Sequence, residues 1–348
     1  MPAPPVHPCT LFCGGAVPDA PVLSGGFVTT LRLATFNVEN LFARWRFADG
    51  LDPATANSRG WIVDQTRFEE LGMDDKALTG AAVREIAADV LCLEEVENVD
   101  TLKYFRAQAL GGRAQYPYVA GVDGNDPRLI DVAVLSKLPI TRIRSHQHLM
   151  DPASPTEPLF SRDCLEVDIE VGQETGPGGT TSVTLFVNHF KSMLGGRSQT
   201  RGKRERQARQ VLDIVTDRFG HQAPGDHPFV VLGDLNDYLE ADGDGGSGIG
   251  RLVTWDQVEN VTARLPEDEQ WTHYWDGGDE YRQLDYLLPS ASLARAAPDT
   301  LPEIFRKGMP LRAVKYTGPR FPGVGPDKPK ASDHCPVVFD LGLPPATA

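Results

Sequence analysis

The chain has 348 residues, of which 41% are apolar and 24% are charged, so it is long enough for a large core and too polar for a membrane span. With 48 acidic and 34 basic side chains its formal net charge is −14, which argues against nucleic-acid binding through a generally basic surface. An anionic substrate would have to be held by a local group of cations. The acidic excess is also what a divalent-cation site would require.

The first 29 residues are rich in proline and glycine and lack both the basic start and the sustained apolar run of a secretory signal. We interpret residues 1–29 as a tail, residues 30–342 as one domain and residues 343–348 as a second short tail. The five cysteines are an odd number without metal-binding spacing, apart from a weak pair at Cys9 and Cys13. They indicate a reducing compartment, and we expect a cytoplasmic protein.

Strand and helix patterns alternate from residue 31 onward. Residues 31–36 predict a strand, residues 81–88 a helix and residues 90–93 a buried strand, which is a βαβ-like opening. A long helix is predicted at about residues 200–218, with its apolar stripe on one face and its arginines on the other. Many strands with few helices predict packed sheets covered by helices. Further strands are predicted at 116–121, 130–136, 164–171, 182–188, 229–233, 281–288 and 336–341.

Three long segments, at residues 44–75, 237–250 and 290–331, are rich in Gly, Pro and Asp. Loops of this length often carry substrate contacts. Residues 240–248 resemble a calcium-binding loop only faintly, and a solvated loop is the better interpretation.

Polar residues suited to metal and proton chemistry stand at the ends of the predicted strands, where α/β enzymes place their ligand sites. Hard cations such as Mg²⁺ prefer carboxylate and amide oxygens, whereas proton transfer near neutral pH favours histidine. The chain supplies both kinds of group. The residues concerned are Asn37, Glu95, His189, Asp234, Asn236, Asp285, Asp333 and His334.

Four strings occur in a set order: LEEVEN at 93–98, NHFKS at 188–192, GDLN at 233–236 and SDH at 332–334. Together they resemble the endonuclease/exonuclease/phosphatase superfamily over about residues 30–342. The resemblance implies a four-layered α/β sandwich with two central mixed sheets flanked by helices. It also implies phosphoester hydrolysis that depends on Mg²⁺ or Mn²⁺.

The resemblance assigns the metal shell to Asn37, Glu95 and Asp333. Much of the family carries glutamine before its metal-binding glutamate, and Glu94 stands in that place here, so the register assigns the metal role to Glu95. A bound cation would stabilise the negative charge that builds on the phosphoryl oxygens.

The same resemblance implies that Asp234 orients the attacking water and that Asn236 donates to a phosphate oxygen. Asp285 is similar to the carboxylate that holds His334 in one tautomer. His334 would act as general base, although the family also leaves that role open to Asp234.

His189 resembles the second histidine of the phosphodiesterase branches, with Asp131 in the place of its carboxylate partner. Arg128 and Lys191 are the best candidates for substrate contacts, because both are adjacent to motif residues. Cations at Arg201, Arg204 and Arg206 would hold a phosphate chain, or they form a solvated helix face, and the sequence leaves both interpretations open. The tryptophans at 45, 61, 271 and 275 are better explained by core packing than by base stacking.

A nuclease-like phosphodiesterase acting on nucleic acid is therefore the first functional hypothesis, supported by His189 and by the basic segment. A phosphatase or phosphodiesterase on lipid or inositol phosphates is the second. A catalytically silent binding module is the third, and the intact motifs argue against it. The choice between DNA and RNA, and between endo- and exonucleolytic action, stays open.

Overall fold

The computed structural model describes residues 30–47, 68–173, 180–243 and 245–343. The expected N-terminal tail, with Cys9 and Cys13, lies outside the described residues, as do Trp61 and residues 344–348. Among the described cysteines, Cys92, Cys164 and Cys335 are buried and free. In the same residues no helix combines the length and the apolar character needed to cross a membrane.

The secondary structure consists of seventeen strands and five α-helices in the described residues. The strands are β1 Thr30–Leu41, β2 Trp45–Phe47, β3 Phe68–Glu70, β4 Val90–Val96, β5 Tyr118–Gly121, β6 Asp131–Ser136, β7 Ile140–Arg144, β8 Met150–Asp151, β9 Ser154–Pro158, β10 Cys164–Gln173, β11 Thr180–His189, β12 Phe229–Asp234, β13 His273–Trp275, β14 Glu280–Arg282, β15 Asp285–Pro289, β16 Glu303–Ile304 and β17 Val337–Gly342. The helices are α1 Met73–Ile86, α2 Val99–Ala109, α3 Arg197–Phe219, α4 Gly250–Val253 and α5 Ala291–Ala296.

Two large sheets organise these elements. The six-stranded sheet has the order β16-β17-β1-β4-β6-β5, and the five-stranded sheet has the order β15-β12-β11-β10-β7. Both are mixed, because β1 pairs parallel with β4 and antiparallel with β17, while β11 pairs parallel with β12 and antiparallel with β10.

The alternation of side chains along each strand decides what lies on the two faces of a sheet. Leu33 of β1 packs in a cluster with Leu185 of β11, so the two sheets meet face to face. Its neighbour Ala34 points the other way, into a cluster with Val83 of α1 and Phe105 of α2. The outer face of the six-stranded sheet is therefore covered by helices.

Helix α3 covers the outer face of the five-stranded sheet. Val211 and Val215 of the predicted apolar stripe are fully buried and pack with Phe186 of β11 and Val231 of β12. The resulting order of helix, sheet, sheet, helix confirms the four-layered sandwich. Because the two sheets pack face to face, the ends of their strands lie close together. The expected site residues lie at these strand ends.

Candidate active site

A β-bulge in β4 presents Glu95. Leu93 pairs with Ala133 and Val96 pairs with Asp131, so β4 has one residue more than β6 between these pairs. Glu95 has a φ of 65°, a left-handed conformation that is uncommon for residues other than glycine. The bulge turns its side chain away from the regular alternation of the strand.

Glu94, the residue before Glu95, is fully buried. Thr35 Oγ1 donates to Glu94 Oε1 at 2.7 Å, whereas Oε2 has no hydrogen-bond partner among the described residues. Burial raises the pKa of Glu94 well above its ordinary value, and the Thr35 hydroxyl opposes this rise only in part. A buried carboxyl group with the size of a glutamine side chain therefore fills the place where much of the family carries that amide.

One row of residues crosses three neighbouring strands of the five-stranded sheet. His189 of β11 is paired with Asp234 of β12, and Asp234 is paired with Asp285 of β15. Cross-strand neighbours in one row share a face, so register alone brings these three expected residues together. Gly233 makes the close approach of β12 possible, because a Cβ there would lie 1.9 Å from the carbonyl oxygen of Asn188.

Asp234 accepts hydrogen bonds from Asn37 and Asn236 in the middle of the candidate site. Its Oδ2 accepts from Asn37 Nδ2 at 3.0 Å and from Asn236 Nδ2 at 2.9 Å, and its Oδ1 accepts from the Asn236 amide at 2.8 Å. Burial raises the pKa of Asp234 to about 7, with His334 acting against the rise and Asp285 adding to it. The Asn37 contact joins the two sheets at this point.

The expected pair of Asp285 and His334 is formed across the sheets. His334 Nδ1 lies 2.8 Å from Asp285 Oδ2, and Thr272 Oγ1 donates to the same carboxylate oxygen at 2.7 Å. His334 Nε2 points toward Asp234, with 3.9 Å to Oδ2. Burial opposes a charged imidazole, but Asp285 and Asp234 together raise the pKa of His334 well above its ordinary value.

The residues expected to hold a metal ion fit that role. Within the described ranges, neither Glu95 nor Asp333 forms an ion pair with a lysine or arginine, and the ion pair of Glu95 is to His189 Nε2 at 3.9 Å. Burial and the charge of Asp333 raise the pKa of Glu95. For Asp333, burial acts to raise the pKa but His334 and its neighbours lower it. Two partly buried carboxylates without a basic partner, beside the amide of Asn37, form a set of oxygen donors that suits a hard divalent cation.

His189 is almost fully buried beside Asp234. Its Nε2 lies 3.5 Å from Asp234 Oδ2, and its Nδ1 has no hydrogen-bond partner among the described residues. Burial, together with the charge of Arg162, lowers the pKa of His189 well below its ordinary value. The ring is therefore neutral next to a carboxyl group.

Asp131 does not contact His189. The described ion pairs of His189 go to Glu95 and Asp234, and Asp131 Oδ1 instead accepts from the Gly124 amide at 2.9 Å. Asp131 opens β6 of the six-stranded sheet and is turned toward its own preceding loop. The expected partnership is wrong in this structure for that reason.

Three cations surround the entrance to the centre. Arg162 is buried, donates from Nη1 to the Phe190 carbonyl at 3.0 Å and forms an ion pair of 2.8 Å with Asp126. Arg128 pairs with the same aspartate at 3.2 Å, but its side chain is 53% exposed. Burial and the charges of Arg162 and Arg128 lower the pKa of Lys191. Arg162 and Arg128 share the Asp126 carboxylate, and both lie near enough to Lys191 to act on its pKa.

Some arginines of α3 differ from the solvated or phosphate-binding face that the sequence suggested, whereas Arg201 is partly exposed and pairs with Glu205 of the same helix. Arg204 is fully buried and pairs with Asp237 at 2.9 Å, and Arg197 pairs with the same carboxylate at 2.7 Å. Arg206 pairs with Asp151 at 2.6 Å. The helix periodicity gave no sign of this, because the acidic partners, Asp237 in a loop and Asp151 in β8, belong to other elements.

Sequence reasoning missed three residues of the centre. Thr272 orders the Asp285 carboxylate, Arg162 precedes β10, and His273 packs its ring on His334 with 4.5 Å between centroids. Burial and the charge of His334 lower the pKa of His273 to about 3. The signal for Arg162 was a polar triplet directly before a strand. His273 was hidden in a tryptophan-rich run that is typical of a core.

The expectation for the tryptophans is confirmed only in part. Trp271 is buried and packs edge-on against Tyr281, whereas Trp45 and Trp275 are exposed. In the weakly calcium-like segment, Asp242 pairs with Arg197 at 3.0 Å, so one of its carboxylates serves the α3 ion pairs.

Comparison with known proteins gives one family and many structures. The model of the Endonuclease/Exonuclease/phosphatase family matches residues 34–334. No curated protein matches the sequence significantly.

The similar structures share the fold at low sequence identity. An endonuclease/exonuclease/phosphatase from Beutenbergia cavernae is 17% identical with a TM-score of 0.55, covering 92% of this chain and 73% of its own. The human nocturnin catalytic domain with bound sulfate is 16% identical with a TM-score of 0.53, covering 93% and 99%. TDP2 of D. rerio, complexed with a single-strand DNA product, is 17% identical with a TM-score of 0.54, covering 91% and 100%.

Proposed function

The chain belongs to the Endonuclease/Exonuclease/phosphatase family, and from this premise we propose that it is a divalent-metal-dependent hydrolase of phosphodiesters in nucleic acid. The observation that carries the proposal is the meeting of two different sets of groups at one point. Oxygen donors without a basic partner come from one sheet, and a carboxylate-supported histidine is formed against the other. In metal-assisted hydrolysis the oxygen donors hold the ion, and a positioned histidine can exchange a proton with the attacking water.

Glu95, Asp333 and Asn37 hold the metal ion in this proposal, either Mg²⁺ or Mn²⁺. When bound, such an ion stabilises the charge that builds on the phosphoryl oxygens. The amide of Asn37 has a second task, because its Nδ2 donates to Asp234 and so fixes the orientation of that carboxylate.

Asp234 orients the attacking water, and His334 exchanges a proton with it. Asp285 accepts from His334 Nδ1 and so selects the tautomer in which Nε2 faces Asp234. Thr272 donates to the same oxygen of Asp285 and so helps to hold that carboxylate in place. The tautomer and the direction of the ring are therefore set before any substrate binds.

His189 and Asn236 act on the phosphate in this proposal. A second histidine beside Asp234 favours diesters, because the alkoxide that leaves a diester benefits from a proton donor or a charge-stabilising contact. Asn236 donates from Nδ2 to Asp234 and to the Phe190 carbonyl, so it must exchange one of these bonds for a phosphate oxygen.

The proposed preference for a polynucleotide is supported by the cations at the entrance to the centre rather than by the arginines of α3. Arg128 and Lys191 stand beside His189 and are the proposed substrate contacts. Among the described residues, a cleft of about 310 Å³ is lined in part by Glu39 and Lys330, whose charges both act on Asp333. This space accommodates substrate beyond the scissile phosphate. A related fold, that of D. rerio TDP2, is known with a single-strand DNA product.

A panel of substrates tests this proposal with the purified chain. Plasmid DNA, single-stranded DNA and RNA, bis-p-nitrophenyl phosphate, p-nitrophenyl phosphate and sphingomyelin are each offered with Mg²⁺, with Mn²⁺ and with excess chelator. We expect metal-dependent cleavage of polynucleotide and of the small diester, with much slower release from the monoester. Turnover that persists in chelator would contradict metal dependence. Preference for sphingomyelin or for the monoester would instead favour the lipid or phosphatase alternative.

Glu95→Gln supplies the matching variant, because it keeps the size of the side chain and removes its charge. We expect weaker Mg²⁺ binding in calorimetry and an unchanged thermal unfolding midpoint. Glu205→Gln, on the exposed side of α3, is the control and should change neither quantity. A loss of folding in Glu95→Gln alone would point to a structural role for this carboxylate.

A further inference from the structure

His273 of β13 stands at the edge of the proposed metal shell. Its ring, a carboxylate oxygen of Asp333 and a ring nitrogen of His334 offer three possible ligand atoms within 4.8 Å of one another. His334 already uses its Nδ1 on Asp285. Within the described ranges, the ring nitrogens of His273 make no hydrogen bond at all, so the ring's only recorded side-chain contact is its packing on His334.

The backbone holds His273 in fixed register with the metal-binding segment. Tyr274 donates its amide to the Asp333 carbonyl at 3.0 Å, and Cys335 donates to the Thr272 carbonyl at 2.6 Å. These two bonds flank an antiparallel bridge between His273 and His334. The imidazole is therefore positioned by the main chain and needs no side-chain partner to keep its place.

A nitrogen donor at this position would change which ions the centre prefers. Magnesium favours oxygen ligands, whereas imidazole suits first-row transition ions, whose affinity for such sites rises from Mn²⁺ through Co²⁺. An imidazole that is held in place by the backbone and makes no hydrogen bond, beside a carboxylate without an ion-pair partner among the described residues, is an arrangement that binds such an ion.

We propose that His273 ligates the metal ion together with Asp333, so that the centre binds a first-row transition ion more tightly than Mg²⁺. This inference rests on the proposed function and specifies the chemical class of its metal. The oxygen donors Glu95 and Asn37 complete a mixed nitrogen and oxygen shell. The imidazole would supply the one soft contact in that shell.

The test measures metal binding without substrate, in protein first stripped with chelator. Calorimetry gives the affinities for Mn²⁺, Co²⁺ and Mg²⁺ in the unaltered chain and in His273→Asn and His273→Ala. Pulsed electron paramagnetic resonance of the Mn²⁺ complex reports whether a nitrogen nucleus is bound directly to the ion. His221→Ala, at an exposed histidine in the loop after α3, is the matched control.

We expect both His273 variants to lose Mn²⁺ and Co²⁺ affinity by about tenfold or more, the size of effect seen at metal-site partners, with little change for Mg²⁺. The directly bound nitrogen signal should weaken in these variants and persist in His221→Ala. Unchanged Mn²⁺ affinity with an unchanged nitrogen signal would overturn the inference. So would a Mn²⁺ complex of the unaltered chain without any bound nitrogen, a result that does not depend on the variants folding.

The outcomes separate this inference from the proposed function. A chain that binds none of the three ions would contradict both. A chain that binds Mg²⁺ and Mn²⁺ equally through oxygen alone would leave the hydrolase proposal standing and remove only the role of His273.

Discussion

The six-stranded sheet brings the amide of Asn37 and the carboxylate of Glu95 to the centre. No described lysine or arginine forms an ion pair with Glu95. The five-stranded sheet brings His189, Asp234 and Asp285, which lie in one row and approach one another closely. One sheet thus offers ligands for a cation, whereas the other offers groups that handle protons. The proposed site therefore needs residues from both sheets.

Hydrogen bonds between expected site residues join these halves. His334, which follows Asp333 at the edge of the six-stranded sheet, reaches Asp285 of the other sheet at 2.8 Å. Asn37 reaches Asp234 at 3.0 Å. The packing between the sheets therefore sets the distances between the proposed site residues. Substitutions in the helices that cover the sheets should alter these distances.

The largest effect is expected where α3 is anchored to the loop that follows β12 of the five-stranded sheet. Asp237→Asn leaves Arg197 and Arg204 buried without their carboxylate, and breaking a buried pair costs about 3–5 kcal/mol. We expect the free energy of unfolding to fall by this amount in chemical denaturation. Asp217→Asn, exposed on the same helix, should leave it unchanged. Equal stability of the two variants would show that these buried pairs do not hold the helix.

The next effect concerns the pair that crosses the sheets. Asp285→Asn can donate to the ring and favour the wrong tautomer of His334, so we expect kcat to fall by about 10² or more with little change in KM. His334→Ala should be at least as damaging. The double variant should lose far less than the product of the single losses, because both residues act through one proton transfer.

Steady-state kinetics on the small diester measures this cycle, and thermal unfolding shows that each variant is folded. Losses that multiply would assign the two residues to separate steps. Asp234 would then be the better candidate for the base.

The smallest effect separates the cations of the entrance from those of α3. Arg128→Gln should weaken binding of single-stranded polynucleotide several-fold and flatten its salt dependence by about one unit, because one phosphate contact is lost. Arg209→Gln, exposed on α3, should change neither quantity. Binding measured over a series of salt concentrations decides between them. An equal loss in both variants would restore the helix as a strand-binding surface.

The sequence predicted the centre well where its residues end strands. Asp234 and Asp285 end or begin regular strands, and strand register alone places them side by side. The register assigned the metal role to Glu95, which stays a prediction, and the bulge at this residue has no marker in a single sequence.

The sequence could not predict contacts made by loops and short strands. Arg204 looked solvent-exposed because helix periodicity describes one helix, whereas its partner Asp237 lies in a loop beyond the next strand. Asp131 has the expected position at the start of a strand, but the turn of its side chain toward Gly124 depends on loop conformation. His273 belongs to a strand of only three residues, which is too short for a periodic pattern.

At the bulge in β4, the backbone conformation that Glu95 adopts lowers stability, whereas its carboxylate serves the proposed activity. A left-handed φ of 65° suits glycine or asparagine better than glutamate, and keeping a larger side chain there costs about 1 kcal/mol. Under selection for stability alone, Glu95 would drift toward those residues, and only a need for its carboxylate opposes that drift. Descendants of this chain that have lost their activity should therefore reveal it first at this position, while the motifs held in regular strands still look intact.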